Sequence, residues 1–273
     1  MKKKLFQAAI VYDFDGTLAR GNLQECSFIP KINMSRDEFW AEVKARTRRE
    51  DADEILVYMH LMLEKAKQAG QVVSKEMLRA HGKRARLFKG LAEGAWFKRM
   101  NRFAARYQLD LQHYIVSSGI EEMIRGCPIQ GAFRRIYASK YIYQGDVAAW
   151  PGVAINYTTK TQYLFRINKG VENHWNNAEI NKFMPQASRP VPFERMIFLG
   201  DGETDIPTMK MLTYQGGHSI AVYDEQPDKR DLEKNHGLIA DDRADFVAPA
   251  NYEENSQLEI IVKGIIGRIA HQL

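Results

Sequence analysis

The chain has 273 residues, of which 45% are hydrophobic, with a formal net charge of +5 and a pI near 9.0. This length allows one large hydrophobic core and a smaller second unit. No uncharged apolar segment is long enough to span a bilayer, which excludes a protein built from membrane-spanning helices. Cys26 and Cys127 are far apart and imply neither a zinc site nor a disulfide framework, so we expect reduced thiols in a cytoplasmic protein.

The first predicted strand ends in two carboxylates. Residues 10–12 are apolar, and Asp13, Asp15, Gly16 and Thr17 follow them. Residues two apart in a strand face the same way, so both carboxylates leave the strand aimed at about the same point. Two unpaired like charges so close are costly, and a hard cation such as Mg²⁺ would neutralise them. Taken alone, the motif is also compatible with a polar turn that closes a buried strand.

A long helical block follows the first strand. Residues 18–109 show almost no strand pattern, and Ser35 with Glu38 has the spacing of a capping box, which predicts a helix start. An apolar stripe over residues 53–69 predicts another helix. Five aromatic residues of the block are expected in its own hydrophobic core rather than in a platform that binds the substrate: Phe28, Phe39, Trp40, Trp96 and Phe97.

The block also contains two clusters of positive charge. Lysines and arginines gather within residues 44–49 and 83–102, in segments of helical pattern. The simpler explanation is that these residues form solvated helix faces. The functional explanation is that they steer anionic substrates toward the crevice electrostatically. Because neither explanation requires DNA or RNA, we expect no nucleic-acid partner.

Strand patterns resume after this block. The run at residues 114–116 ends at Ser117, Ser118 and Gly119, whose hydroxyl and amide groups suit a phosphate oxygen. Further strand patterns alternate with helical ones, at residues 136–143, 196–199, 220–223 and 245–247. Such alternation predicts an α/β fold in which helices cover both faces of a parallel sheet.

The strand at residues 196–199 leads into a second acidic loop that contains Asp201 and Asp205. In an open α/β sheet, ligands bind outside the carboxyl ends of the strands, so both acidic segments can meet at one crevice. Asp201 would then complete a metal site with Asp13. The preceding residues, 171–194, are polar with several prolines and predict an irregular segment or short helices.

In this order, the motifs resemble those of the haloacid dehalogenase-like (HAD) superfamily of phosphohydrolases. The first family motif is Asp-x-Asp-x-Thr after a strand, and it is matched by Asp13, Asp15 and Thr17. The second is an apolar strand that ends in Ser or Thr, and it is matched by Ser117.

The remaining two family motifs lie in the second half of the chain. The third is a lysine that opens a helix, for which Lys160 is the best match and Lys169 the alternative. The fourth is Gly-Asp-x-x-x-Asp, matched by Asp201 and Asp205. More residues separate Lys160 from Asp201 than separate the corresponding motifs of the compact phosphoserine phosphatases, which leaves the choice of lysine open.

The resemblance implies a Rossmann-like parallel sheet with an inserted helical cap, the C1 cap of the phosphoserine phosphatase-like branch. We expect residues 1–18 and 109–273 to form the catalytic core and residues 19–108 to form the cap domain.

The resemblance also implies a role for each matched residue. Asp13 would attack phosphorus and become an aspartyl phosphate, and Asp15 would protonate the leaving group. Mg²⁺ would be held by Asp13, by Asp201 and by the backbone carbonyl of Asp15. Asp205 would not bind the metal directly but would orient Lys160 or a metal-bound water. The groups expected to bind the phosphate are Gly16, Ser117, Ser118 and Lys160.

The implied activity is Mg²⁺-dependent hydrolysis of a small phosphorylated metabolite. Asp15 argues against a dehalogenase, because a halide leaves without a proton. A phosphotransferase or phosphomutase of the same superfamily is the alternative, and a non-catalytic metal-binding regulatory protein is less favoured. Phosphoserine itself is disfavoured, because Asn22 stands where that branch carries a glutamate and Glu25 follows only a turn later. No membrane partner is expected, and a homo-oligomer stays open.

Overall fold

The computed structural model describes residues 5–202, 204–225, 233 and 237–273. The strands are β1 (Phe6–Tyr12), β2 (Leu109–Ile120), β3 (Arg135–Gln144), β4 (Val147–Val153), β5 (Met196–Gly200), β6 (His218–Tyr223) and β7 (Phe246–Pro249). They form one sheet in the order β4-β3-β2-β1-β5-β6-β7. Neighbouring strands are parallel except β3 and β4, which are antiparallel.

The principal helices are α1 (Leu23–Lys31), α2 (Arg36–Glu50), α3 (Glu54–Gln68), α4 (Lys75–Gly82), α5 (Ala95–Ala105), α6 (Glu121–Ile124), α7 (Thr159–Lys169), α8 (Asn177–Asn181), α9 (Ile206–Tyr214) and α10 (Gln257–His271). Among the described residues, none of the helices combines the length and the apolar character that crossing a bilayer requires.

Both faces of the sheet are covered. Alternate residues of β1 belong to two hydrophobic clusters, with Ala8, Ile10 and Tyr12 in one and Ala9 and Val11 in the other. Since side chains alternate along a strand, a strand that is apolar throughout must be packed on both faces. The predicted α/β fold with a largely parallel sheet is therefore confirmed.

Helices α1 to α5 connect β1 to β2, as the strand-poor block predicts. The predicted capping box is present at the start of α2, where the Glu38 amide donates to Ser35 Oγ at 3.2 Å and the Ser35 amide donates to Glu38 Oε2 at 2.9 Å. Asp53 caps α3 by accepting from the Leu56 amide at 3.0 Å. Local side-chain chemistry thus sets these helix starts.

Helix α5 packs on the sheet rather than on the other inserted helices. The Trp96 indole donates to Tyr12 Oη at 2.9 Å, and the Phe97 ring lies edge-on to His113 at 5.1 Å. Both rings are buried in the hydrophobic core, as expected, but they share that core with the sheet because α5 covers β2. The division of the chain at residue 108 stays a prediction.

Strand β4 was missed by sequence reasoning. Its residues include Pro151 and Gly152, which are uncommon inside strands. Among the described strands it pairs with β3 and forms the edge of the sheet, where a missing amide donor is tolerated. Val147 also forms an isolated bridge with Ser74. The polar segment at residues 171–194 holds only α8 and short 3₁₀ turns, as predicted.

Candidate active site

The sheet order brings the carboxyl ends of the motif-bearing strands together. Strand β1 lies between β2 and β5, and the Asp13 amide donates to the Leu199 carbonyl at 2.9 Å. Asp13 therefore sits between the end of β2, which carries Ser117, and the end of β5, which leads to Asp201. These residues line one cavity of about 450 Å³.

Lys160, the second residue of α7, is fully buried at this edge of the sheet. Its Nζ atom lies 3.0 Å from Asp13 Oδ2 and 2.6 Å from Asp205 Oδ1. Burial by itself lowers the pKa of a lysine, but the two carboxylates outweigh it, so the pKa of Lys160 is raised above its ordinary value. The structure thus places a charged ammonium beside the predicted nucleophile.

The alternative lysine lies elsewhere. The ammonium of Lys169, at the last residue of α7, donates to the carbonyls of Ile180 and Lys182 at 2.6 and 2.7 Å. It ties the irregular segment to the helix end. Lys160 is therefore the lysine that meets the aspartates.

The aspartates form a compact acidic cluster. One carboxylate oxygen from each of Asp13, Asp201 and Asp205 lies within 4.8 Å of the others. Both oxygens of Asp205 are engaged, one by Lys160 and the other by the Asp201 amide at 3.1 Å. An all-oxygen donor set fits Mg²⁺, with Asp13 and Asp201 placed to hold it and Asp205 placed to hold Lys160 and the loop.

Gly16 lets the two acidic loops approach each other. Its φ is +76°, and a Cβ atom there would lie 2.5 Å from Asp201 Oδ2. A side chain at this position would therefore both strain the backbone and push Asp201 away from Asp13.

We expect Gly16→Ala to abolish Mg²⁺-stimulated activity and to lower stability by more than the about 1 to 2 kcal/mol that a left-handed residue costs. Gly145→Ala is the matched control, because Gly145 has a φ of +58° with nothing within 4 Å of its Cβ position. Activity assays and thermal unfolding of both variants measure the difference. Equal behaviour of the two variants would show that contact with Asp201 is unimportant.

Asp15 occupies a different environment from Asp13. Its Oδ1 atom accepts the amide of Leu23, the first residue of α1, at 3.1 Å. Burial raises the pKa of Asp15 well above its ordinary value, and the neighbouring Asp13 charge raises it further. A raised pKa favours the protonated form of a carboxyl group, which is the form that can donate a proton to a leaving group.

The end of β2 supplies polar groups on the other side. Ser117 is buried, and its Oγ atom accepts the Gly119 amide at 3.1 Å. The Ser118 carbonyl accepts the hydroxyl of Tyr58 at 2.7 Å. The structure thus gathers all the predicted site residues, while the chemical role assigned to each stays a prediction.

Sequence reasoning missed the outer wall of the cavity. Arg36, Trp40 and Lys44 line it from α2, together with Tyr58 from α3. Trp40 packs against the hydrophobic core, as expected, but it is only partly buried and also lines the cavity. The available signal was the i, i+4, i+8 spacing of a basic, an aromatic and a basic residue, which places them on one helix face.

Two protein-sequence comparisons bear on this chain. The family model of haloacid dehalogenase-like hydrolases matches residues 10–210. A protein of Borreliella burgdorferi that carries the name "uncharacterized protein" is 24% identical over 277 residues, which cover 92% of this chain and 93% of that protein.

Solved structures are similar in fold. A HAD family hydrolase from Salmonella enterica serovar Typhi has a TM-score of 0.58 at 14% identity, over 97% of this chain and 73% of that one. A substrate-bound phosphoserine phosphatase has a TM-score of 0.53 at 17% identity, over 94% of this chain and 98% of that one. A phospho-aspartyl intermediate analogue of phosphoserine phosphatase has a TM-score of 0.51 at 17% identity, over 95% of this chain and 99% of that one. Since the family model spans most of the chain and agrees with this fold, the protein belongs to the haloacid dehalogenase-like hydrolase family.

Proposed function

We propose that this hydrolase is a Mg²⁺-dependent phosphatase that cleaves a small-molecule phosphate monoester through an aspartyl phosphate. The observation that carries the proposal is the Asp13 carboxylate at the end of β1, 3.0 Å from the buried Lys160 ammonium and within 4.8 Å of Asp201. The similar structures named for phosphoserine phosphatase, one of them an analogue of the phospho-aspartyl state, support it.

In the first step, an Asp13 oxygen attacks phosphorus and the bond from phosphorus to the leaving oxygen breaks. The Lys160 ammonium, 3.0 Å from Asp13 Oδ2, holds the Asp13 carboxylate in place for this attack. Asp15 gives its proton to the leaving alkoxide, so a neutral alcohol departs. Splitting the hydrolysis in this way lowers the barrier of a reaction that is extremely slow unaided.

In the second step, the Asp15 carboxylate takes a proton from a water that attacks the aspartyl phosphate. The bond from phosphorus to Asp13 breaks, inorganic phosphate leaves and Asp15 is protonated again. Ser117, Lys160 and the amides near Gly16 and Ser118 would hold the phosphoryl oxygens. Mg²⁺, when bound by Asp13 and Asp201, would supply further positive charge to the phosphoryl group.

The size of the cavity supports a small substrate. A volume of about 450 Å³ lies in the range usual for pockets that hold small molecules, and inserted helices form its outer wall. We propose that the partner is a small phosphorylated metabolite rather than a phosphorylated protein or nucleic acid.

Metal removal tests the proposal directly. We expect a chelator to stop hydrolysis of an aryl phosphate such as p-nitrophenyl phosphate, and Mg²⁺ to restore it. Ca²⁺ should restore little activity, because its larger and looser coordination shell misplaces the reacting groups. Full activity in a metal-free preparation would contradict the metal assignment, and no activity with any ester and any divalent cation would contradict the enzyme.

The role of Asp15 is tested by the leaving group. We expect Asp15→Asn to lower kcat/KM for an alkyl phosphate by about 10²-fold or more, and to affect an aryl phosphate far less. An alkoxide needs a proton to leave, whereas a nitrophenolate does not, and kcat/KM reports the step in which the leaving group departs. An equal loss for both esters would remove the general-acid role.

A further inference from the structure

A second wall of the cavity lies beside the place where the leaving group is expected. This wall indicates a substrate class, which rests on the proposed function. Asp15, the expected proton donor, contacts the Leu23 amide at the start of α1. The alcohol part of the substrate must therefore lie against the first turn of α1. Gln24 and Glu25 belong to that turn and line the cavity.

The Glu25 side chain is only 10% exposed. Its Oε1 atom accepts from Asn22 Nδ2 and from Trp40 Nε1, each at 2.7 Å. Its Oε2 atom accepts no hydrogen bond from the part of the chain that the structure describes. The neutral donors and the exposed Arg36 guanidinium all meet Oε1, so a positive group of a ligand at Oε2 would further compensate the buried charge.

Gln24 gives an independent sign of a missing donor. This residue is 3% exposed, and its Oε1 atom is buried without a hydrogen-bond partner within the described ranges. Buried carbonyl oxygens are nearly always paired. Because Gln24 lines the cavity, a turn of its amide group would bring this unpaired oxygen to a ligand that offers an N–H or O–H group.

Two aromatic rings complete the wall. The planes of Trp40 and Tyr58 are inclined by 63° with their centroids 5.8 Å apart. Each ring is fixed by its own polar atom, because Trp40 donates to Glu25 and Tyr58 donates to the Ser118 carbonyl. Inclined aromatic faces beside a carboxylate are the usual surroundings of a bound ammonium group.

The positive charges of the cavity lie at its mouth. Arg36 approaches Glu25 Oε1 at 3.3 Å, but its side chain is 68% exposed, and Lys44 is exposed as well. Solvent screens such charges, so they oppose a cation in the cavity weakly. At the mouth they would attract the phosphate of an incoming substrate instead.

We propose that the substrate is the phosphate monoester of a short amino alcohol. Its phosphate would lie at Asp13, and its ammonium group would bind in a subsite formed by Gln24, Glu25, Trp40 and Tyr58. Primary and quaternary ammonium groups share this chemistry, but they use it differently. A primary group donates hydrogen bonds to Gln24 and Glu25, whereas a quaternary group depends more on the aromatic faces.

Charged esters and their uncharged isosteres separate these effects. With Mg²⁺ present, kcat/KM is measured for phosphoethanolamine against n-propyl phosphate, and for phosphocholine against 3,3-dimethylbutyl phosphate. We expect at least one charged ester to exceed its isostere by about tenfold or more, because a partly desolvated cation beside aromatic rings and a carboxylate gains at least that factor. The better charged ester identifies the kind of ammonium group.

Variants locate the preference. We expect Glu25→Gln, whose amide oxygen can still accept from Asn22 and Trp40, to remove most of the preference for the charged ester and to lower aryl phosphate hydrolysis much less. Trp40→Leu should weaken a quaternary substrate more than a primary one. Glu76→Gln is the control, because Glu76 is exposed on α4 away from the cavity, and it should change neither ratio.

The outcomes separate the ammonium subsite from the proposed function. Equal kcat/KM for charged and uncharged esters, in an enzyme that hydrolyses p-nitrophenyl phosphate, would overturn the subsite and leave the phosphatase standing. A preference for esters with a carboxylate, such as phosphoserine, would overturn it in favour of Arg36 and Lys44. If no ester is hydrolysed, the phosphatase fails, and calorimetric titration with phosphocholine and its isostere decides the subsite: equal or absent binding overturns it.

Discussion

Asp13→Asn is expected to lower kcat by about 10⁴-fold or more, because it removes both the nucleophile and a carboxylate placed to hold the metal. The fold should persist, since asparagine has nearly the same volume and Lys160 keeps its 2.6 Å contact with Asp205. Hydrolysis of p-nitrophenyl phosphate with Mg²⁺ measures the loss, and circular dichroism with thermal unfolding measures the fold.

Asp146→Asn is the matched control for this change. Asp146 is exposed in the turn between β3 and β4, far along the sheet from β1, so its replacement should leave kcat and the melting temperature unchanged. Substantial turnover by a folded Asp13→Asn protein would show that another residue attacks phosphorus.

Lys160→Met is expected to affect both stability and catalysis. Lys160 is fully buried between Asp13 and Asp205, and removing one partner from a buried ion pair costs about 3 to 5 kcal/mol because the remaining charges lose their compensation. Denaturant unfolding in metal-free buffer measures this loss. We also expect kcat/KM with Mg²⁺ to fall by about 10²-fold or more, because a positive group aimed at the phosphoryl oxygens is lost.

Lys169→Met on the same helix is the control. It removes two hydrogen bonds to main-chain carbonyls at a partly exposed site, which corresponds to about 1 to 3 kcal/mol of stability and no direct effect on catalysis. Equal losses of kcat/KM in the two variants would contradict the assignment of Lys160 to the site.

The sequence alone determined the features that depend on neighbours along the chain. The position of Asp13 and Asp15 at the end of an apolar strand follows from the two-residue period of a strand. The capping box at Ser35 and Glu38 follows from the spacing of donors and acceptors in one helical turn. The order of the acidic and hydroxyl-bearing strand ends was enough to predict an α/β sheet with one crevice, since parallel strands share an edge.

Only the tertiary structure decided which distant side chains meet. Lys160 and Lys169 lie on the same helix, and nothing local to either shows that Lys160 contacts Asp205, 45 residues away. Likewise, the amphipathic pattern of α5 does not say whether its apolar face covers the sheet or another helix, and the pattern of α2 does not say that Trp40 faces a cavity. Periodicity fixes which residues share a face, but the partner of that face depends on how the whole chain packs.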